Sequence, residues 1–371
     1  MRIGYDAKRA FHNRTGLGNY SRSLIDNICS FFPKDHYFLF NNKPSKLYYP
    51  EGLFIQEVLP TTFIQKKFSS FWRSFSLHNL ADQYALDIFH GLSHELPFGK
   101  KKGKTKWVLT IHDLIFIRYP HYFSYIDRKI YQYKVRWACE KADKIVAISH
   151  QTKRDIIEFL DVAPEKIEVI YQDCHHSFKE EVSIFVKESV RNKYNLPSSF
   201  LLQVGTIETR KNLLLTIKAL KLIKGNETLV VIGKSSPYLE EVKQQIAKLK
   251  LQDKVIFLHS VPFNDLPAIY QMAKIFIYPS RFEGFGIPIL EALYSKVPVI
   301  AASGSCLEEA GGPSSTYVHP DNATELALAI DVLLIDQNKR ENQIEQGLQF
   351  VEKFKPEILS SQLMNLYRNI L

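Results

Sequence analysis

Short apolar runs rich in β-branched residues recur along the chain, separated by longer stretches with helical periodicity. In the first half they are Arg2–Tyr5, Tyr37–Phe40, Leu53–Val58, Asp87–His90, Trp107–Ile111, Lys144–Ile148 and Ile167–Ile170. The second half repeats the pattern at Phe200–Val204, Leu229–Ile232, Val255–Leu258, Ile275–Tyr278, Val297–Ala301 and Thr316–Val318. Among the intervening stretches, Leu213–Ile223, Tyr238–Leu249, Leu266–Met272 and Thr324–Leu334 read as helices. Continuous apolar strands alternating with helices predict an α/β architecture of parallel sheets covered on both faces. A chain of 371 residues is long for one core, and the two series predict two such domains. The polar stretch from His175 to Lys193 is the expected linker. In open parallel sheets ligands lie beyond the carboxyl ends of the strands, and clefts between domains are favoured sites. The loops after the strands are therefore where chemistry is expected.

Composition and charge refine this picture. A hydrophobic share of 45% supplies an ordinary globular core. Met1–Asp6 reads as a strand and not as a signal peptide, and no apolar run approaches the ~18–20 residues of a membrane span, so the cytoplasm is the expected compartment. Cys29, Cys139, Cys174 and Cys306 are scattered, without the paired spacing of a zinc site or a disulfide framework. The net charge of +9 is uneven: residues 1–180 hold 27 Lys and Arg against 19 Asp and Glu. Such a surface suits nucleic acid, an anionic membrane or a phosphorylated substrate. No nucleic-acid module accompanies it, so nucleic acid is not an expected partner. Phe63, Ile64, Phe68, Phe71, Trp72 and Phe75 fall roughly on one helical face beside Lys66, Lys67 and Arg73. That pattern fits a helix lying on an anionic membrane surface, with the Lys100–Lys104 run as a second basic element. Core packing is the alternative use of such a stripe.

Four loops carry candidate chemistry. After the first strand, Thr15-Gly16-Leu17-Gly18-Asn19-Tyr20 opens a helix, where glycine backbone N–H groups suit an anion. The third position of a G-x-G-x-x-G dinucleotide fingerprint is here Ser21, which disfavours that reading. His112, at the end of Trp107–Ile111, is placed to hydrogen-bond a sugar hydroxyl or a phosphate. Gly205–Asn212 sets Arg210 and Lys211 between a strand and a helix, a fork and a point charge suited to a diphosphate. In Pro279–Glu291, a glycine-rich loop carries Glu283 and the following helix carries Glu291. Carboxylates accept paired hydrogen bonds from vicinal hydroxyls, and the loop N–H groups face phosphate.

At these residues the chain resembles the retaining GT-B glycosyltransferases of family four, also called glycosyl transferases group 1. The resemblance is carried by the E-x7-E element Glu283–Glu291 after Pro279-Ser280 and by Gly205–Asn212. Thr110-Ile111-His112-Asp113, Phe89–Leu92, Lys144–Ser149, Pro298–Ile300 and Glu309–Gly311 extend it over almost the whole chain. It implies an N-terminal acceptor domain over 1–180 and a C-terminal donor domain over 181–355, their parallel sheets facing a central cleft. A terminal helix, 356–371, would pack back on the first domain. It further implies that Gly16 and Gly18 present N–H groups to the donor phosphate and that Arg210 and Lys211 neutralise the diphosphate. Glu283 with Gly284, Phe285 and Gly286 would meet the donor sugar, Glu291 the ribose, and His112 the sugar near the reacting carbon. Many members carry Arg where this chain has Thr206, which leaves the phosphate contacts to Arg210 and Lys211. The implied activity is metal-independent, retaining hexosyl transfer in cell-surface polysaccharide synthesis, with no cofactor and GDP-mannose as the favoured donor. The implied acceptor is a glycan or a polyprenyl-diphosphate-linked glycan, reached from the cytoplasmic face of the membrane. A nucleotide-sugar epimerase or a phosphorylase is the alternative within the fold.

Overall fold

The computed structural model describes every residue except Lys100 and Lys102, so these two members of the Lys100–Lys104 run lie outside the described residues. The chain forms two units. The first comprises Met1–Asp173 with Phe354–Leu371, the second Cys174–Lys353.

In the first unit, β1 (Arg2–Asp6), β2 (His36–Phe40), β3 (Ile55–Val58), β4 (Ile88–Gly91), β5 (Lys106–Ile111), β6 (Lys144–Ala147) and β7 (Ile167–Val169) form one sheet. Its order is β3-β2-β1-β4-β5-β6-β7, and every pairing is parallel. Alternate residues of each strand enter cores on opposite faces. Phe38, Phe89, Leu109 and Ile145 join one, and Leu39, Ile88, Val108 and Val146 the other. Burial on both faces is why these strands read as unbroken apolar runs.

The second unit repeats the plan with β8 (Phe200–Val204), β9 (Thr228–Ile232), β10 (Val255–Leu258), β11 (Ile275–Tyr278), β12 (Val299–Ala302) and β13 (Thr316–Val318). The order is β10-β9-β8-β11-β12-β13, again all parallel. The direction of strand addition reverses between β1 and β4 in one sheet and between β8 and β11 in the other. Such reversals open a crevice at the carboxyl ends of the two central strands.

The stretch His175–Lys193 is not a linker. It belongs to the second unit and holds helix Ile184–Tyr194, capped by the Ser183 hydroxyl, which accepts from the Val186 N–H. Phe178 is fully buried, edge-on to Tyr270 at 5.3 Å and to Phe263 at 5.8 Å. Its polar sequence reflects a helix with one buried residue, Val190, and an otherwise solvent-facing surface.

Helix Pro356–Asn369 packs on helix Gly16–Phe31 and completes one core of the first unit through Leu363, Met364, Leu366 and Tyr367. The Tyr367 hydroxyl lies 2.6 Å from Nδ1 of His90 on β4, and Nε2 of His90 lies 2.8 Å from the Thr110 hydroxyl. Burial pushes the His90 imidazole down to about 3, so it is neutral, with one ring nitrogen donating and the other accepting. Tyr367→Phe leaves a buried ring nitrogen without a partner. The first unit should lose about 1–3 kcal/mol, seen by calorimetry as a lower melting transition that Tyr367→Leu lowers further.

Candidate active site

The reversal between β8 and β11 brings two loops together, Gly205–Asn212 and Pro279–Gly286. They are stitched through main chain: the Arg281 N–H donates to the Arg210 carbonyl at 2.9 Å. Asn212 adopts the left-handed conformation, φ 57°, and its amide donates to the carbonyls of Pro279 (3.2 Å) and Pro320 (2.7 Å). From β8, the Gln203 amide donates to the Lys211 carbonyl at 3.1 Å. These bonds fix where the charged side chains start.

Arg210, Lys211 and Glu283 then meet in one cluster. Nζ of Lys211 donates to Oε1 of Glu283 at 2.6 Å and to the Tyr278 hydroxyl at 2.6 Å. Nη1 of Arg210 lies 2.7 Å from Oε2 of Glu283 and donates to the Phe282 carbonyl at 2.7 Å, while Nη2 binds Glu208 at 2.6 Å. Ser280 donates a further hydrogen bond to Oε1 of Glu283 at 2.5 Å. Burial opposes ionisation of Glu283, yet Lys211 and Arg210 outweigh it and hold the carboxyl at about 2. Burial lowers the pKa of Lys211, partly offset by Glu283. Arg210 is raised: burial works against its charge, and Glu283 and Glu208 more than compensate. Two cationic side chains are thus balanced by two carboxylates, Glu283 between them and Glu208 on Arg210, and an incoming anion would compete with these carboxylates for Arg210 and Lys211.

Glu291 behaves differently. It sits in helix Ile287–Tyr294, which begins after Gly286 (φ 121°, a conformation natural to glycine) and carries Pro288 in its first turn. Its Oε2 accepts from the Tyr270 hydroxyl at 2.8 Å. With no cation beside it among the described residues, burial pushes the carboxyl up to about 7, the Tyr270 hydrogen bond working against the rise. Along the backbone Gly284-Phe285-Gly286, Phe285 and Gly286 are buried and Gly284 is half-buried. The Cys306 thiol props that backbone by donating to the carbonyls of Glu283 (3.0 Å) and Phe285 (3.2 Å). Tyr278, Ser280, Tyr270 and Cys306 had no assigned role in the sequence. Only Ser280, next to Pro279 in the matching motif, carried a signal that could have marked it.

The remaining predicted residues lie in the first unit. Gly16 is exposed, at the first position of helix Gly16–Phe31, where backbone N–H groups have no intrahelical partner. Gly18 is buried. Its N–H donates to the Thr15 carbonyl at 2.9 Å, and a Cβ there would sit 1.8 Å from the Asn13 carbonyl oxygen. A close approach of main chain, and not a free N–H, requires this glycine. His112 is buried with both ring nitrogens engaged: Nε2 donates to the Leu92 carbonyl at 2.9 Å, and Nδ1 accepts from the Gln172 amide at 3.1 Å. Burial, with His94 next, brings it down to about 3, so it offers hydrogen bonds but no charge. A sugar hydroxyl reaching Nδ1 must displace Gln172.

The sign for Glu291 follows from its raised value. The folded chain holds this proton more tightly than the unfolded chain, whose Glu titrates near ~4.3. The associated stability is complete below about 4 and is lost as pH rises towards about 7. Glu291→Gln removes the titration. Its melting temperature should fall less than that of the parent chain between pH 5 and pH 8, read by thermal denaturation; parallel curves would contradict the burial-driven shift.

Known proteins match both units. Residues 35–172 match the family Glycosyltransferase Family 4, and residues 186–350 match Glycosyl transferases group 1. The O-antigen chain mannosyltransferase RfbU of Salmonella typhimurium is 30% identical over 60% of this chain and 59% of its own length. O-antigen chain mannosyltransferase B of Escherichia coli is 28% identical over 76% of this chain and 74% of its length. The chain thus spans under two thirds of the first of these relatives. Among solved structures, HepE of Anabaena in complex with UDP and glucose aligns over 100% of both chains, at 17% identity and a TM-score of 0.75. A sucrose-phosphate synthase of Thermosynechococcus elongatus aligns over 100% of this chain and 99% of its own, at 18% identity and a TM-score of 0.77. With two Rossmann-like parallel sheets, their reversal-point loops and both family matches, the chain belongs to the GT-B glycosyltransferases of family four, glycosyl transferases group 1.

Proposed function

We propose that this chain transfers a hexosyl residue, mannosyl before others, from a nucleoside-diphosphate sugar to a glycan or a polyprenyl-diphosphate-linked glycan in cell-surface polysaccharide synthesis. The observation that carries the reading is the Lys211–Glu283–Arg210 cluster at the strand-order reversal of the second unit. The similarity to O-antigen chain mannosyltransferases supports mannose and hence GDP-mannose as donor. The UDP and glucose bound to HepE support a nucleotide-sugar in this fold.

Transfer proceeds with retention and without a metal. The bond from the anomeric carbon to the diphosphate oxygen breaks as the bond to the acceptor oxygen forms on the same face. The acceptor's proton passes to the departing phosphate, and the products are the lengthened acceptor and a nucleoside diphosphate. Negative charge grows on that phosphate during cleavage, and Arg210 and Lys211 stabilise it, a role worth ~3–4 kcal/mol per preorganised donor. The phosphate competes with Glu283 for both cations. As they re-pair, Glu283 gains acceptor capacity for the donor sugar's hydroxyls, while Glu291 takes the ribose hydroxyls. His112, held neutral, supplies hydrogen bonding in the first unit, and Gly16 a backbone N–H.

Attachment to an anionic membrane surface is part of the reading. Phe63, Ile64, Phe68, Phe71 and Phe75 are exposed, with Lys66 and Lys67 among them. Phe71 stacks on Phe75 at 4.4 Å, Phe75 on Phe98 at 5.5 Å, and Phe98 on Tyr133 at 6.5 Å, so the apolar patch continues onto helix Tyr125–Lys141. There Tyr125, Ile126 and Ile130 are also exposed beside Lys129. Exposed patches of this extent mark interaction surfaces. Two residues of the stripe face elsewhere. Trp72 is buried in the core, and Arg73 binds Asp6 (2.9 Å) and Glu95 (2.7 Å) beneath the helix. Among the described residues no helix is long and apolar enough to cross a membrane.

Lys211→Ala should lower kcat about 10²-fold by analogy with a lost oxyanion donor, with a smaller change in KM for the donor. GDP-mannose should give the largest thermal shift among UDP-, GDP-, ADP- and dTDP-sugars, and turnover should survive EDTA. An effect confined to KM sinks the leaving-group role, and EDTA inactivation reversed by Mg²⁺ sinks metal independence. Vesicle co-sedimentation checks the membrane: binding should require anionic lipid, weaken with salt, and drop when Phe63, Phe71, Lys67 and Lys129 become Ser. Equal recovery on neutral and anionic vesicles, or recovery on neither, would count against the docking face.

A further inference from the structure

A cavity lies in the first unit, beyond the carboxyl ends of β2 and β3, away from the residues assigned to the transfer chemistry and bordering the aromatic-basic segment at Lys66. Its volume is ≈ 700 Å³, inside the ~300–1,000 Å³ of small-molecule sites. Its wall includes Asn42, Glu57, Thr61 and Tyr84, with Lys43 and Lys66 at hand.

The wall is preorganised from below. Asn41 is fully buried, and its amide donates to Oε1 of Glu57 at 2.8 Å and to the Lys43 carbonyl at 2.6 Å. Nε2 of His12 in turn lies 2.9 Å from Oδ1 of Asn41. Glu57, at the edge strand of the sheet, is thereby fixed through one oxygen while the other remains able to accept. Asn42, 7% exposed, has a buried Oδ1 without a partner among the described residues. Leaving such an acceptor unpaired costs free energy unless a ligand or water donates to it. Tyr84 packs against Phe38 at 5.2 Å and Phe40 at 5.9 Å, so its ring is a fixed apolar surface. A carboxylate and an amide beside an immobile aromatic ring suit a ligand with hydroxyl edges and a C–H face.

We propose that this cavity binds the distal, non-reacting sugar residues of a glycan acceptor. The inference rests on the glycan-acceptor reading above. The sheet order sets the spacing: β2 and β3 stand one and two strands from β1, roughly 5–10 Å from the reversal point at β1 and β4. That offset is a sugar ring or two. A growing chain seated at the reversal point would therefore lay its earlier residues in the cavity. Such a subsite raises affinity for long acceptors and leaves the chemistry of the terminal residue untouched.

The test is equilibrium binding to the full chain without any nucleotide-sugar, by titration calorimetry and saturation-transfer NMR with mannotriose, maltotriose and galactotriose. At least one trisaccharide should bind with millimolar affinity. Glu57→Gln should weaken it roughly tenfold, the loss of one hydrogen bond to a charged acceptor. Thr61→Trp, which fills the cavity from an exposed position, should abolish it, with unchanged melting temperature and unchanged turnover on a monosaccharide acceptor. Lys211→Ala should bind the trisaccharide as the parent does, which separates failure of this subsite from failure of the transferase reading. Absence of binding by all three trisaccharides overturns the proposal. So does binding indifferent to both substitutions, or retention of inorganic phosphate alone.

Discussion

The second unit's site hangs on one buried carboxylate. Glu283 accepts from Lys211, Arg210, Ser280 and Tyr278, and these partners come from both loops flanking the strand-order reversal and from the end of β11. Desolvating such charges is expensive and is offset only when the geometry satisfies the lone pairs. Four donors on one carboxylate meet that condition. The same arrangement keeps two cations, one of them with a lowered pKa, charged inside a crevice that would otherwise expel them. The cluster holds the loops in register and at the same time keeps two cationic side chains at the crevice, each already paired with a carboxylate.

Against this, Glu291 shows what burial does without a cation. Seven residues separate the two glutamates, and one is held at about 2 while the other rises to about 7. Their shared motif conceals opposite electrostatic circumstances. Lys211 and Arg210, brought in by tertiary structure, overcome burial at Glu283, whereas at Glu291 the Tyr270 hydrogen bond offsets burial only in part. Glu283 is an anion throughout the physiological range, whereas Glu291 is poised near the middle of it.

How much could be read in advance follows the same division. Strands were legible because parallel strands buried on both faces leave continuous apolar runs, and Arg210, Lys211, Glu283 and Glu291 were legible by type and place. Their pairing was not, since 72 positions separate Lys211 from Glu283 and no local pattern records such a contact. Distance in sequence also hid Phe178, whose burial against Tyr270 turns an apparent linker into part of the second unit. A helical projection grouped Arg73 with the outward aromatics; only the fold reveals Asp6 and Glu95 beneath it. Gly18 looked like a ligand-facing glycine because the carbonyl that demands it, on Asn13, is invisible to composition.

The path of the chain has a consequence for how the molecule comes into being. The second unit is contiguous, so it can close its core once Lys353 is synthesised. The first cannot: Leu363, Met364, Leu366 and Tyr367 are built into its core, and they follow the whole second unit in the chain. Through most of translation the β1 side of that sheet stands open, with Ile25, Ile28 and the ring of Tyr5 exposed to water. Domains usually mature in the order in which they leave the ribosome; here the earlier one must wait for the later. That order of closure arises from connectivity alone.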